Sequence, residues 1–307
     1  MSSSTCLQEW HITKPYLHLH CALGEGPFHE ASTNSLRFVD IKKGRVHWVD
    51  LAAEPAESGV TTTQLDVPVG VTADIEGVDP AERILVGVKS GIAILDRKTG
   101  AYEYVARFPE PYERLRANDG AADPHGRFWL GSMSDIGFDL QDEGHLCLFD
   151  GTRDTGRSMR YPVTIPNALG WSPDKKTMYF THSTEKIVYA WDYDLSSGAL
   201  NNERVFYKHE GSGAPDGFRV DVEGNIWHAI YGESRVVKIS PEGNLIGQVL
   251  LPTQNITCTQ FVGTELFITT AAMENGEGPD EAVELSGALY KVDVGVKGLE
   301  LFPFKLK

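Results

Sequence analysis

Four short stretches of this chain offer oxygen donors where the backbone can turn sharply. They are Leu23-Gly24-Glu25-Gly26-Pro27, Arg116-Ala117-Asn118-Asp119-Gly120, Ile165-Pro166-Asn167-Ala168-Leu169-Gly170-Trp171-Ser172 and Ala214-Pro215-Asp216-Gly217-Phe218-Arg219-Val220-Asp221. Asn-Asp-Gly and Pro-Asp-Gly are common turn sequences, and one of them alone signals nothing more than a turn. The parallel carries the argument: Asn167 and Asp216 each follow a Pro and precede a small residue, and Asn118 falls at the comparable place. With Glu25 they supply oxygen alone, which suits a hard cation such as calcium or magnesium, while zinc also accepts carboxylates.

Other chemistries find less support. His18-Leu19-His20 puts two imidazoles on one face of an extended segment, but no HExxH accompanies it, and His29-Glu30 and His209-Glu210 lack a second histidine. His145, His182 and His228 stand alone and are expected to pack or to face solvent. A GxSxG elbow, a phosphate-cradling GxxxxGK[ST] and a dinucleotide fingerprint are all missing, so organic cofactors are not expected.

Residues this far apart in sequence meet only if the fold brings their segments to one place. A degenerate repeat provides the means, an Asp or Pro turn followed by an apolar-aromatic strand. Its copies begin at Asp79-Pro80, Asp123-Pro124, Ser172-Pro173 and Asp221-Val222, with weaker ones around Leu36–Asp40 and Glu265–Thr269. The strand centres near Phe38, Leu85, Phe128, Met178, Ile226 and Phe267 recur at the interval of about 40 to 50 residues that one propeller blade occupies. Period-two runs such as Gly91–Asp96 and Lys186–Asp192 follow them, and no long 3.6-period segment appears. The expectation is an all-β, six-bladed β-propeller forming a single domain over residues 1–307, with residues 1–14 as a loose N-terminal segment and the four stretches as loops at the channel mouth. A β-sandwich fits six near-equal repeats less well.

The 28 basic and 43 acidic residues give a formal net charge of −15, which repels nucleic acid and anionic lipid. Cys6, Cys21, Cys147 and Cys258 form no CxxC pair and are expected as reduced thiols. Neither a basic-then-apolar leader nor an apolar run of about 20 residues is visible, so a cytoplasmic monomer or weak homo-oligomer is the expectation.

Taken together and in order, the four stretches resemble the gluconolactonase and regucalcin family, the senescence-marker-protein lactonases. The likeness runs from about Leu23 to Gly287–Val292, and includes Asp123-Pro124-His125-Gly126-Arg127 after the second stretch and Asp221 and Gly224 after the fourth. It implies a propeller that holds one divalent ion (Ca, Zn, Mg or Mn) through Glu25, Asn167 and Asp216. Asn118 would lie close to the ion or to substrate, and Arg116 would face substrate oxygens. Phe28 stands where the family often has Trp, and His182-Ser183 where it often has Asp-Ser. Asp135 neighbours the position where relatives acting on aldonolactones can carry an acid after a Gly-Thr-Met segment, here Gly131-Ser132-Met133.

The resemblance implies metal-dependent hydrolysis of sugar lactones to aldonic acids. The ion would polarise the carbonyl and acidify a water, with Asp216 as general base and Arg116, Asn118 and Asp135 contacting substrate. The alternatives are a related hydrolase of other lactones or phosphotriesters, and a calcium-binding propeller without turnover.

Overall fold

The computed structural model describes residues 7–54, 56–152 and 154–307; Cys6 and the start of the N-terminal segment lie outside them. Its strands form six sheets, each built on an antiparallel meander that proceeds outward from a central channel. The innermost strands are Gly24–Glu30, Val69–Ala73, Leu115–Ala122, Pro166–Trp171, Ala214–Val220 and Ile256–Val262. Each packs against the inner strand of the next sheet, and the first packs against the sixth, which closes a ring of six blades. Among the described residues, helix is confined to Asp280–Glu284 and a 3-10 turn over Ala56–Gly59.

The repeat recognised in the sequence is the second strand of each blade, which carries Phe38, Leu85, Phe128, Met178, Ile226 and Phe267. These strands are apolar on both sides because both faces of a blade are covered. The core accordingly divides into six clusters, one in each gap between neighbouring blades. Trp129 and Trp227 are fully buried in two of them. Truncating a side chain of that size to Ala costs about 3–5 kcal/mol.

The Asp of the repeat has its own task. Asp123 lies between the first two strands of the third blade and accepts the backbone N–H of His125 (2.8 Å) and Arg127 (3.0 Å), which shapes the turn. It also accepts Arg127 Nε at 2.6 Å and Trp129 Nε1 at 3.1 Å, which ties the turn to the strand that follows. Asp221 repeats the pattern in the fifth blade, with Asn225 N at 2.9 Å and Trp227 Nε1 at 2.9 Å.

Both ends of the chain stitch across blades. Within the N-terminal segment expected to be loose, Gln8–His11 runs parallel to Leu245–Leu250 as a fifth strand of the fifth blade. Backbone bonds between Leu17 and Leu289 then cover the outer edge of the three-stranded sixth blade. At the other end, residues 297–305 cross the face of the ring where the inner strands end, held by Leu299 N to Val220 O (2.9 Å), Phe304 N to Asp74 O (2.8 Å) and Lys305 N to Gly126 O (2.7 Å).

Candidate active site

The four candidate stretches are not loops. Each is part of an inner strand, and each strand carries an irregularity at the same level. Between Glu25 and Phe28, Ala117 and Gly120, Pro166 and Leu169, and Pro215 and Phe218, three residue steps on the inner strand face two on its partner. The remaining inner strands slip by one residue between Val69 and Val71 and between Ile256 and Cys258. The channel is thus girdled by six aligned β-bulges, and a bulge re-aims a side chain that strand alternation would place elsewhere. Turn-type sequences serve here as bulge sequences because a bulge makes similar demands on the backbone. Gly26 has φ +52°, and a Cβ at Gly70 would lie 2.3 Å from Asn118 O, so glycine is needed at both.

At the bulges of the first, fourth and fifth blades stand Glu25, Asn167 and Asp216, all buried. They are neighbours across the channel: Glu25 and Asn167 are both among the groups that act on the Asp216 carboxyl. Burial first, then the charge of its neighbouring acids, pushes both the Glu25 and Asp216 carboxyls well above the usual carboxylate range. Asp119 is driven the same way by burial. Two carboxylates this close cannot both be charged in a dry site without a cation between or beside them.

The amide is oriented by a relay. Ser183 Oγ donates to Pro215 O at 2.7 Å, so it accepts from Asn167 Nδ2 at 3.0 Å, and Asn167 Oδ1 is left buried with no protein partner. Asp119 is similar: Oδ1 accepts Gly120 N at 2.6 Å while Oδ2 is buried and unpartnered. Below Asp216, His228 Nε2 lies 3.1 Å from the Asp216 carbonyl and so carries the proton donated to it; burial pushes this imidazole down to about 3, which keeps it neutral. Unsatisfied buried oxygens are costly in a finished fold. Here they converge on acids that repel one another, as the donor set of a hard-cation site would. Among the described residues no three His, Cys, Asp or Glu side chains group as a metal site, so a site here must draw on the Asn167 amide.

The expected substrate contacts lie on the third blade. Arg116 is buried, and burial lowers its guanidinium to about 10, which leaves it charged at neutral pH. Its Nη1 donates to Ala117 O (2.8 Å) and Asn118 Oδ1 (3.0 Å), and its Nε has no protein partner. Asn118 is therefore engaged at both ends, since its Nδ2 donates to Pro166 O at 2.8 Å across the blade boundary. Asp135 is engaged as well, by Lys89 Nζ at 2.7 Å and Ile136 N at 2.8 Å.

Asp119, Ser183, His228 and Lys89 are the participants that sequence reasoning did not single out. Asp119 sits in a stretch already recognised, behind Asn118. Ser183 belongs to a pair noted only as a family departure, and Lys89 comes from the second blade with no local signal.

A family model described as SMP-30/Gluconolactonase/LRE-like region matches residues 23–272. Regucalcin of Xenopus laevis is 32% identical over 90% of this chain and 93% of its own. A pentonolactonase of Haloferax volcanii is 32% identical over 91% of this chain and 93% of its own. Among solved structures, a luciferin-regenerating enzyme superposes with a TM-score of 0.84 at 30% identity, covering 95% of this chain and 100% of that one.

Proposed function

The chain belongs to the SMP-30/gluconolactonase/LRE-like family, and from that premise we propose that it is a divalent-metal-dependent lactonase that opens sugar lactones to aldonic acids. The convergence of Glu25, Asn167 and Asp216 from three separate blades carries the reading. The pentonolactonase name of one relative supports a sugar lactone as the substrate class.

Glu25 and Asp216 would hold the ion through carboxylate oxygens and Asn167 through its unpartnered Oδ1. A divalent ion bound there supplies Lewis-acid polarisation of the lactone carbonyl and lowers the pKa of nearby water. Asp216 takes the proton from the water that attacks the carbonyl carbon. The ring C–O bond then breaks, and Asp216 returns the proton to the departing ring oxygen, leaving a hydroxy acid that ionises. Arg116, Asn118 and Asp135 position the substrate, Arg116 through its planar set of donors and Asp135 through a carboxylate steadied by Lys89. His228 and Ser183 touch no substrate; they fix the Asp216 backbone and the Asn167 amide.

The test is acid release across a panel of aldonolactones, non-sugar lactones and a phosphotriester, with the chelated protein as control. The expected result is metal-dependent turnover highest on aldonolactones. Turnover unaffected by chelation would remove the metal mechanism, and preference for another ester would redirect the substrate. Saturable metal binding without hydrolysis of any lactone would favour the non-catalytic calcium-binding alternative.

A further inference from the structure

Beyond the bulges, where the inner strands end, the channel widens into a cavity of about 510 Å³ closed by the C-terminal residues 297–302. None of Glu25, Asn167 and Asp216 lines it. Its volume falls within the range of about 300–1,000 Å³ typical of small-molecule sites. Phe28, Leu169, Trp171 and Phe218 form an apolar wall from three strands, and Leu299 and Phe302 of the tail border it.

The charged groups on this wall are unusual for the chain. Lys175, Lys297 and Arg219 contribute three cations against one acid, the exposed Glu300, in a protein whose net charge is −15. Lys305, elsewhere on the tail, is paired with Glu76 at 3.5 Å, but Lys175, Lys297 and Arg219 form no ion pair among the described residues. Arg219 bonds neutral acceptors, Gln260 Oε1 at 2.8 Å, Phe218 O at 2.9 Å and Pro27 O at 3.2 Å, and its charge acts on the Glu25 and Asp119 carboxyls, so the cations left to the cavity are Lys175 and Lys297. Lys175 Nζ stands 5.2 Å from the Phe302 ring, at the meeting of the apolar wall and the cationic rim. Apolar surface edged by unneutralised cations is complementary to a molecule with an apolar body and one negative end.

We propose that this half of the channel is a second binding site, separate from the carboxylate cluster, that takes a small amphipathic anion such as an aryl carboxylate. The apolar body lies against Phe28, Trp171 and Phe302, and the carboxylate faces Lys175 and Lys297. This inference concerns different residues from the lactonase reading and stands whether or not that reading does.

The probes are 2-naphthoate and its uncharged isostere 2-naphthamide, titrated calorimetrically into the full chain with and without chelator. Naphthoate is expected to bind one site per chain, unchanged by chelation. The K175Q/K297Q double variant, altered only at exposed lysines, weakens naphthoate about tenfold, by the loss of both charges, and naphthamide less than about twofold. Leu299→Trp fills the cavity and abolishes binding of both probes while the far-ultraviolet circular dichroism is unchanged. The proposal is overturned if naphthoate shows no saturable binding, or if the lysine variant binds both probes as the unmodified chain does. It is equally overturned if binding is lost with Arg116→Ala rather than Leu299→Trp, since the anion would then sit at the catalytic mouth.

Discussion

Asp123 and Asp216 are both buried carboxylates of one propeller, and their surroundings are opposite. Around Asp123 every neighbour donates: two backbone amides, the Arg127 guanidinium, the Trp129 indole and the Tyr193 hydroxyl. Around Asp216 stand Glu25, Asp119 and an amide whose oxygen is unpartnered. A carboxylate that a fold uses for itself is surrounded by donors, whereas one surrounded by other acceptors is held in readiness for something the chain does not supply. The difference separates the Asp of the repeat, which builds the blade, from the acids of the bulges, which we propose build the site.

The sharpest way to break this comparison is to remove each acid in turn. Asp216→Ala is expected to lower lactone turnover at least about 10⁴-fold, equal to about 5.5 kcal/mol of transition-state stabilisation, while the circular dichroism spectrum stays that of the unmodified chain. Asp123→Ala is expected to do the reverse. It leaves the buried Arg127 guanidinium without its carboxylate, with only the Tyr193 hydroxyl and the Leu195 and Ser196 carbonyls as acceptors, and costs about 3–5 kcal/mol in denaturant unfolding, with turnover by the remaining folded protein nearly unchanged. If both variants lose activity and stability together, the division between building and functional acids is wrong.

Proton linkage sharpens the same contrast. Burial and mutual repulsion raise the folded-state pKa of Glu25 and Asp216 above the unfolded value of about 4. The folded state then holds more protons than the unfolded state. Stability of the metal-free protein therefore falls as pH rises from about 4 towards the raised folded-state pKa, by about 1–3 kcal/mol. Urea unfolding at pH 5 and pH 7 after chelation measures it. Equal stability at the two values would mean that the cluster carries no such strain.

Smaller effects are expected around the two. Arg116→Lys keeps the charge but loses the planar set of donors, and KM for an aldonolactone should rise about tenfold with kcat less affected. Ser183→Ala frees the Asn167 amide to turn, and metal affinity should fall about tenfold, the low end for a residue that orients a ligand. A Ser183→Ala protein with unchanged metal affinity would show that the relay does not orient the amide.

Blade number was legible because the second strand of every blade repeats an apolar-aromatic run after a turn, and burial on both faces leaves little freedom in those positions. Asn167 and Asp216 stood out by their parallel settings, and Glu25 as a lone carboxylate between two glycines. Their placement on bulges was not legible, because Pro-Asp-Gly and Asn-Asp-Gly satisfy a turn as readily as a bulge, and only strand pairing distinguishes the two. Ser183, in the turn after a second strand, and His228, on a second strand, contact the Asn167 amide and the Asp216 backbone from positions where any buried polar residue would look alike in sequence. The strand Gln8–His11 escaped notice because four residues, three polar and one Trp, joining an edge carry too short a pattern to show alternation.

The most direct measurement is a calorimetric titration of calcium, and in parallel of zinc, into the chelated full chain and into its Glu25→Gln, Asn167→Ala and Asp216→Asn variants. The account predicts one site per chain, release of protons on binding at pH 6 to 7, and loss of that site in each variant. Binding that persists in all three, or no saturable binding by any divalent ion, would contradict it.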